Sequence, residues 1–346
     1  GETFGDLDGQ NNSGSSDAFI SKYTFNNSPT DNEAPTDMSV SGSFFDENIA
    51  APSTVATLNT THSDSEDTHT YSLVFGAGDT DNSAFTIVGD KLLINVSPDY
   101  ETQESYSIRL QTKDAGGLTF EKSFTLSVND LNEIPTSLSL SASIFDENIA
   151  DGSAVANLSS TDPDASDTFT YSLSSGDGSA DNSAFTIDGD QLKIIDSPDF
   201  EAKSSYAIRL QTKDSAGLTF EKSFTLTVND INESPDQIIA TSPLKDSKEF
   251  TKSGDLISEL SAFDPDKGDE IEFSILPGAN SELFEVRQVN QLHILTTPDF
   301  EKQSNYAITV SAKDSAGNEA LQQINVLIQD LNESPIDLSV SASSFD

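Results

Sequence analysis

One phrase returns three times at a fixed interval: Asp130-Leu131-Asn132-Glu133-Ile134-Pro135, Asp230-Ile231-Asn232-Glu233-Ser234-Pro235 and Asp330-Leu331-Asn332-Glu333-Ser334-Pro335. The spacing of 100 residues is long for a solenoid unit and about right for one small domain. The chain therefore reads as a tandem array, each unit with its own core. A weaker fourth copy, Thr30-Asp31-Asn32-Glu33-Ala34-Pro35, keeps the register with Thr30 in place of Asp. Other phrases share the same ruler: Phe-Asp-Glu-Asn-Ile-Ala at Phe45 and Phe145, Pro-Asp-Tyr/Phe-Glu at Pro98, Pro198 and Pro298, and Lys-Asp-Ala/Ser at Lys113, Lys213 and Lys313. Each contains carboxylates, so a set of oxygen ligands repeats along with the fold.

The register predicts modules over residues 32–132, 133–232 and 233–333. Residues 1–31 read as the remnant of a preceding domain or linker, and 334–346 as the truncated start of a further module, so the expectation is a fragment of a longer protein. No stretch approaches the roughly 18 apolar residues of a membrane helix, and no signal peptide is present. Any membrane attachment is expected from other parts of the parent chain.

Within a module the apolar pattern has a period of two. In Tyr106-Ser107-Ile108-Arg109-Leu110-Gln111 and Phe124-Thr125-Leu126-Ser127-Val128-Asn129 apolar and polar residues alternate, which places the apolar ones on one face of a half-buried strand. Phe169 to Leu173 does the same, and turn signals such as Gly176-Asp177-Gly178, Asp188-Gly189-Asp190 and Ala216-Gly217 end the runs. Helical apolar stripes are absent. Roughly seven short strands in about 100 residues predict an all-β antiparallel sandwich, with the 21 phenylalanines assigned to its core.

The formal charge is −42, and the chain has no cysteine and no tryptophan. Such a surface rejects nucleic-acid phosphates and collects cations; a disulfide framework and a Cys-ligated zinc site are excluded. Asp99 and Glu101, Asp199 and Glu201, and Asp299 and Glu301 sit two residues apart, so in extended chain both side chains point one way. Asp162-Pro163-Asp164 and Asp264-Pro265-Asp266 repeat the device, the proline favouring extended backbone before it. Like charges held together repel unless a cation lies between them. Their recurrence in register points to Ca²⁺, a hard ion that takes 6–8 oxygens. Catalysis is not expected, because every acidic pair recurs whereas a catalytic site needs one differentiated constellation.

These motifs resemble the cadherin repeat. The resemblance implies tandem Greek-key β-sandwich modules in an elongated array, with Ca²⁺ at the seams between consecutive modules. For the first complete seam it implies Glu47, Asp99 and Glu101, the linker stretch Asp130, Leu131, Asn132 and Glu133, and Asp162, Asp164 and Asp214 as ligands. For the second it implies Glu147, Asp199, Glu201, the linker stretch Asp230, Ile231, Asn232 and Glu233, and Asp264, Asp266 and Asp314. Either set exceeds one ion's coordination shell, so more than one Ca²⁺ per seam is implied. The last half-seam holds Glu249, Asp299, Glu301, Asp330, Asn332 and Glu333; Glu249 is kept because it precedes Asp264 by the interval that separates Glu147 from Asp162. The leading seam is degenerate: Thr30 replaces the linker Asp, and His62-Ser63-Asp64 replaces Asp-Pro-Asp beside Asp114. His62 reads as a lost ligand, since imidazole suits zinc or copper better than Ca²⁺.

The segment Gly5-Asp6-Leu7-Asp8-Gly9-Gln10 with Ser16 to Tyr23 resembles the end of a bacterial β-propeller-type repeat. That company predicts a bacterial surface or secreted protein. An EF-hand reading of Asp6, Asp8 and Asp17 fails because Asn11 stands where the loop needs glycine. The functional expectation is a Ca²⁺-rigidified extracellular stalk or adhesion array. The alternative is a set of modules that themselves bind a polysaccharide, one another homophilically, or another cell-surface protein. Strand exchange through an N-terminal tryptophan, known in cadherins, is unavailable to a chain without tryptophan.

Overall fold

A computed structural model describes residues 32–241, 248 and 251–334. The propeller-like phrase, Thr30, Glu249 and residues 335–346 lie outside the described residues. The chain divides into two compact units that part between Asn132 and Glu133.

The first unit contains one sandwich. Its strands are β1 (Asp37–Val40), β2 (Phe44–Asp46), β3 (Ser53–Thr61), β4 (Thr70–Leu73), β5 (Phe85–Val88), β6 (Lys91–Ile94), β7 (Ser105–Lys113) and β8 (Thr119–Asn129). One sheet has the order β1-β3-β6-β5 and the other β2-β8-β7-β4. Eight strands appear where about seven were expected, because the opening strand breaks near Gly42. Its first half runs antiparallel to β3 and its second half runs parallel to β8, so one strand of the reading serves both sheets. In β7 the expected alternation is realised: Tyr106, Ile108 and Leu110 are buried between the sheets, with Leu92, Ile94 and Leu126 beside them.

The second unit begins with the same sandwich: β9 (Ser137–Leu140), β10 (Ile144–Asp146), β11 (Ala154–Thr161), β12 (Thr170–Leu173), β13 (Phe185–Asp188), β14 (Gln191–Ile194), β15 (Ser205–Lys213) and β16 (Thr219–Asn229). Its core is built on Leu138, Leu192, Ile208, Leu210 and Leu226. A third core follows around Ile257, Leu292, Ile294, Val310 and Val326. It lies between β17 (Asp236–Thr241), β18 (Leu256–Phe263), β19 (Glu272–Ile275), β20 (Phe284–Arg287), β21 (Gln291–Ile294), β22 (Asn305–Lys313) and β23 (Glu319–Leu327). Lys248 pairs in parallel with Gln329, the place where β2 and β10 run parallel to the last strands of their modules. Among the described residues the only helical segments are single 3₁₀ turns, Asn82–Ala84, Asn182–Ala184 and Ser281–Leu283, and no helix is long and apolar enough to cross a membrane.

Phenylalanine is not confined to the core. Phe45, Phe85, Phe145, Phe185, Phe273 and Phe284 are buried, but Phe44 and Phe263 face outward and Phe75 is 96% exposed. Phe44 occupies the outward phase beside Phe45 in β2, and Phe75 lies beyond β4 in the loop that leads to Gly76, so neither position reaches the inter-sheet space. That loop turns where the sequence signals it. Gly178, the counterpart of Gly78, holds φ +87°, and a Cβ there would lie 2.6 Å from Ser223 Oγ.

No candidate ligand lies among the core residues of the second unit. Leu210→Ala, at a fully buried position, is therefore expected to cost about 2–5 kcal/mol in urea unfolding, by similar amounts in Ca²⁺ and in chelator. A loss confined to one of the two conditions would contradict a metal-independent core.

Candidate metal centre at the module junction

The second unit contains one complete junction, between the sandwich that ends at Asn229 and the one that begins at Asp236. Its anchor is Glu147, 3% exposed. One carboxylate oxygen accepts the Phe200 amide at 2.8 Å, and the other accepts the Ile231 amide at 2.7 Å. Asn148, just after it, takes φ 57°, a left-handed conformation that Asn tolerates better than most residues. Its amide donates to the Pro198 carbonyl at 2.9 Å. The Phe-Asp-Glu-Asn phrase, the Pro-Asp-Phe-Glu phrase and the linker recur together because Glu147 and Asn148 tie all three into one corner.

That corner gathers charge. Single carboxylate oxygens of Glu147, Asp199 and Glu201 lie within 4.8 Å of one another. From the far side, Asp266 accepts the Glu233 amide at 2.8 Å, and Asp264 accepts the Asp266 amide at 3.1 Å. Asp314 accepts from the Asn232 side chain at 2.5 Å and from the Asn318 amide at 2.8 Å, while the Asn318 side chain donates to the carbonyls of Asn232 and Glu233, each at 3.2 Å. Asn148 donates to one Glu233 oxygen. Ile231 thus enters through its backbone, held by Glu147, and its side chain stays partly exposed.

The remaining oxygens are the informative ones. Glu233 Oε2, Asp264 Oδ2 and Asp269 Oδ2 are buried without a hydrogen-bond partner. A buried polar atom left unpaired is costly, and an unpaired carboxylate more so. Burial pushes the Asp264 carboxyl up, reinforced by Asp266, Asp269 and Asp314. Burial likewise raises Glu233, with Glu147, Asp266 and Asp230 adding to it, and raises Glu201 beside Glu147, Glu233 and Asp230. Asp230 is raised by burial and then by its hydrogen bond to Asp266. Asp314 goes the other way: burial opposes its charge, but the donors from Asn232, Asn318 and Gly317 outweigh it and lower its carboxyl. Like-charged, desolvated oxygens with orphaned lone pairs and no soft ligand among them fit a hard divalent cation.

Two of these features repeat at the head of the preceding sandwich. Oxygens of Asp162, Asp167 and Asp214 lie within 4.8 Å of one another, and Asp164 accepts the Glu133 amide at 2.9 Å. Burial raises the Asp162 carboxyl, with Asp164, Asp167 and Asp214 next. In the first unit, oxygens of Glu47, Glu101 and Asp130 form a similar group, and Glu47 accepts the Tyr100 amide at 2.8 Å and the Leu131 amide at 2.7 Å; Asp99 is tied to the Thr102 amide at 2.9 Å.

Asp167 and Asp269 were not singled out from the sequence. Each ends an Asp-x-Asp-x-x-Asp run, Asp162-Asp164-Asp167 and Asp264-Asp266-Asp269, and a turn returns the third Asp to the cluster through its amide on the Asp164 or Asp266 carbonyl. Ser215 and Ser315, from the Lys-Asp-Ser phrases, hold one oxygen of each at 2.6 and 3.2 Å and leave the other buried and unpartnered. The in-register third Asp was the available signal. At the C-terminal half-seam Asp299 pairs with Lys302 at 2.7 Å, which lowers its carboxyl, where Thr102 and Ala202 stand in the other modules. Glu301, Asp330, Asn332 and Glu333 are exposed there.

No family model matches the chain. Protocadherin Fat 4 of Mus musculus is 28% identical over 252 residues, 68% of this chain and 5% of that protein. Cadherin-24 of Mus musculus is 30% identical over 261 residues, 68% of this chain and 33% of that protein. The chain thus spans a third or less of these two curated relatives. Among solved structures, mouse Cadherin-23 EC22-24 aligns with TM-score 0.54 at 19% identity, covering 84% of this chain and 96% of that one. Protocadherin Gamma B7 extracellular cadherin domains 1-4 align with TM-score 0.55 at 20% identity, covering 82% and 73%. The modules share the tandem β-sandwich fold of these cadherin domains, and the chain is similar in sequence to cadherin proteins.

Two outcomes follow at this junction. Asp264→Asn should weaken Ca²⁺ binding on the order of tenfold, because ligand charge sets affinity in such sites; calorimetry reads it, and Asp299→Asn should leave that binding event unchanged. The pH dependence has a definite sign. For Asp230, Glu233, Asp264 and Glu201 the folded chain holds protons more tightly than the unfolded chain, so stability falls as pH rises through the window above the ordinary carboxylate range. In chelator, calorimetric unfolding should therefore be more favourable to the fold near about pH 5 than at pH 7. Saturating Ca²⁺ should reverse the order, since protons then compete with the ion. Stability in chelator that climbs from pH 5 to 7 would contradict the carboxylate crowding.

Proposed function

We propose that the chain is a Ca²⁺-rigidified segment of an extracellular adhesion protein, a stalk whose seams are locked by the ion. The observation that supports it best is the set of buried, unpartnered oxygens of Glu233, Asp264 and Asp269 at the junction. Ca²⁺ between them satisfies the lone pairs, cancels the repulsion among Glu147, Glu201 and Asp230, and clamps the linker to both sandwiches. Without it, the linker Asn232 to Pro235 acts as a hinge. The ligand set at the junction is Glu147, Asp199, Glu201, Asp230, the Ile231 backbone, Asn232, Glu233, Asp264, Asp266 and Asp314, with Asp269 added. The corresponding candidate ligands in the other repeats are Glu47, Asp99, Glu101 and Asp130 within the first unit, and Asp162, Asp164, Asp167 and Asp214 at the head of the second.

The cadherin-like fold and the cadherin relatives favour an extracellular adhesive setting. The bacterial surface setting rests on the N-terminal phrase alone. A stalk is preferred over modules that grip a polysaccharide because the exposed aromatics Phe44, Phe75 and Phe263 lie apart in the sequence, on a strand, a loop and a strand end, whereas the acidic corners recur.

Small-angle scattering of the chain with millimolar Ca²⁺ and with chelator tests the reading. Ca²⁺ should narrow the distribution of end-to-end distances, with binding in the range of extracellular modules, about 10⁻⁴–10⁻³ M. At free Ca²⁺ about a hundredfold above Kd, one site should add about 2.7 kcal/mol to stability. Superimposable profiles would overturn the stalk.

A further inference from the structure

The head of the first module keeps the frame of the other two heads but changes the charge at its centre. Glu33 donates its amide to Asp64 at 3.0 Å, as Glu133 does to Asp164 and Glu233 to Asp266. The Asn32 side chain donates to Asp114 at 3.1 Å, as Asn232 does to Asp314. The third Asp, Asp67, is returned by the same turn as Asp167, and its Oδ2 is likewise buried without a hydrogen bond. Where the sisters have Asp162 and Asp264, this head has His62.

The surroundings of His62 favour the doubly protonated ring. Its side chain is 3% exposed. Nε2 lies 2.6 Å from the Glu33 carbonyl oxygen and Nδ1 lies 3.3 Å from the Asp64 carbonyl oxygen. A carbonyl oxygen only accepts, so each ring nitrogen can engage its carbonyl only as a donor, and a neutral imidazole with one N–H can satisfy only one of the two. Carboxylates face the ring on both sides: Asp64 at 3.9 Å and Asp114 at 3.8 Å from Nε2, and Asp67 at 3.8 Å from Nδ1. The Asp114 side chain is wholly buried, and an ionised carboxylate in that position calls for a counter-charge. His69 meets the ring edge-on, with centroids 5.1 Å apart.

We infer that His62 is held as an imidazolium and supplies the positive charge that a bound cation supplies at the other heads. The first head is then a closed, metal-free seat: one side chain has turned from ligand into cation, and Asp64, Asp67 and Asp114 are its counter-ions rather than metal ligands. This deepens the proposed function, since it rests on the sister heads being Ca²⁺ seats. It makes the array chemically uneven: chelation opens the inner seams and leaves this head intact, while deprotonation opens this head alone. The Glu33 carbonyl is the largest contributor holding the ring's basicity above the ordinary histidine value, ahead of the burial that opposes it and the Asp64 and Asp67 charges that assist.

The test uses the whole chain. In chelator, a proton–carbon NMR titration of the histidine rings should place the His62 midpoint above about 6.5, and millimolar Ca²⁺ should not move its resonance. His62→Asp rebuilds the acidic set of the sister heads and should add one Ca²⁺-binding event to the calorimetric isotherm, whereas His62→Gln should add none. A His62 midpoint at or below the ordinary value, or no gain of Ca²⁺ in a folded His62→Asp chain whose inner seams still bind, would overturn the inference. So would a shift of the His62 and His69 resonances by one equivalent of Zn²⁺, which would make this head a transition-metal site. If the wild-type chain binds no Ca²⁺ at all, the proposed function fails, while the NMR midpoint still decides the charge of His62.

Discussion

The Glu147 carboxylate accepts the Phe200 and Ile231 amides while itself almost fully buried. These donors lie in the Pro-Asp-Phe-Glu phrase and in the linker, so one side chain sets the distance between the foot of a sandwich and the strand that leaves it. Placing Glu147 there brings Asp199, Glu201 and Asp230 into the same low-dielectric corner, and Asp264, Asp266 and Asp314 approach it from the following sandwich. Two backbone amides offset part of the cost of burying one charge, but they do not neutralise the rest. The junction is built so that its own residues leave a net deficit of positive charge. Coulomb repulsion at such spacing is about 1 kcal/mol per pair in water and grows severalfold at lower effective dielectric. That deficit is the charge a bound cation would supply under the proposed function.

Most of the fold was legible because its signals are local. Alternation in Tyr106-Ile108-Leu110 gave the inner face of β7, and glycines such as Gly178 marked turns whose positive φ they alone adopt without strain. The broken opening strand was not legible, since three-residue β2 and β10 pair in parallel with a strand some 83 residues away and carry too few residues to show a period. The outward Phe44 and Phe75 were misassigned for a related reason: hydrophobicity alone does not tell phase when the neighbouring residue, Phe45, is also aromatic.

The candidate site was legible in its ligand types and only partly in its members. Repeats of Asp-x-Glu and Asp-x-Asp announced crowded oxygens; Asp167 and Asp269 carried the same in-register signal, but it is the turn onto the Asp164 and Asp266 carbonyls that brings them into the cluster. Asp299 pairs with Lys302, a cation three residues on where the other modules have Thr102 and Ala202. His62 answers the same electrostatic demand in a third way. Across the modules, acidic corners of common design differ at one or two positions, Lys302 beside Asp299 and His62 in place of an Asp, and each difference brings in a cationic or basic side chain.

The proposed Ca²⁺ seat at the junction oxygens is open to a structural test. Anomalous diffraction from crystals of the chain grown in Ca²⁺ tests it most directly. The account predicts anomalous peaks at the junction, each within about 2.3–2.6 Å of oxygens drawn from Glu147, Glu201, Asp230, Glu233, Asp264 and their neighbours. A junction free of anomalous density, with those carboxylates instead paired to protons, lysines or water, would contradict it.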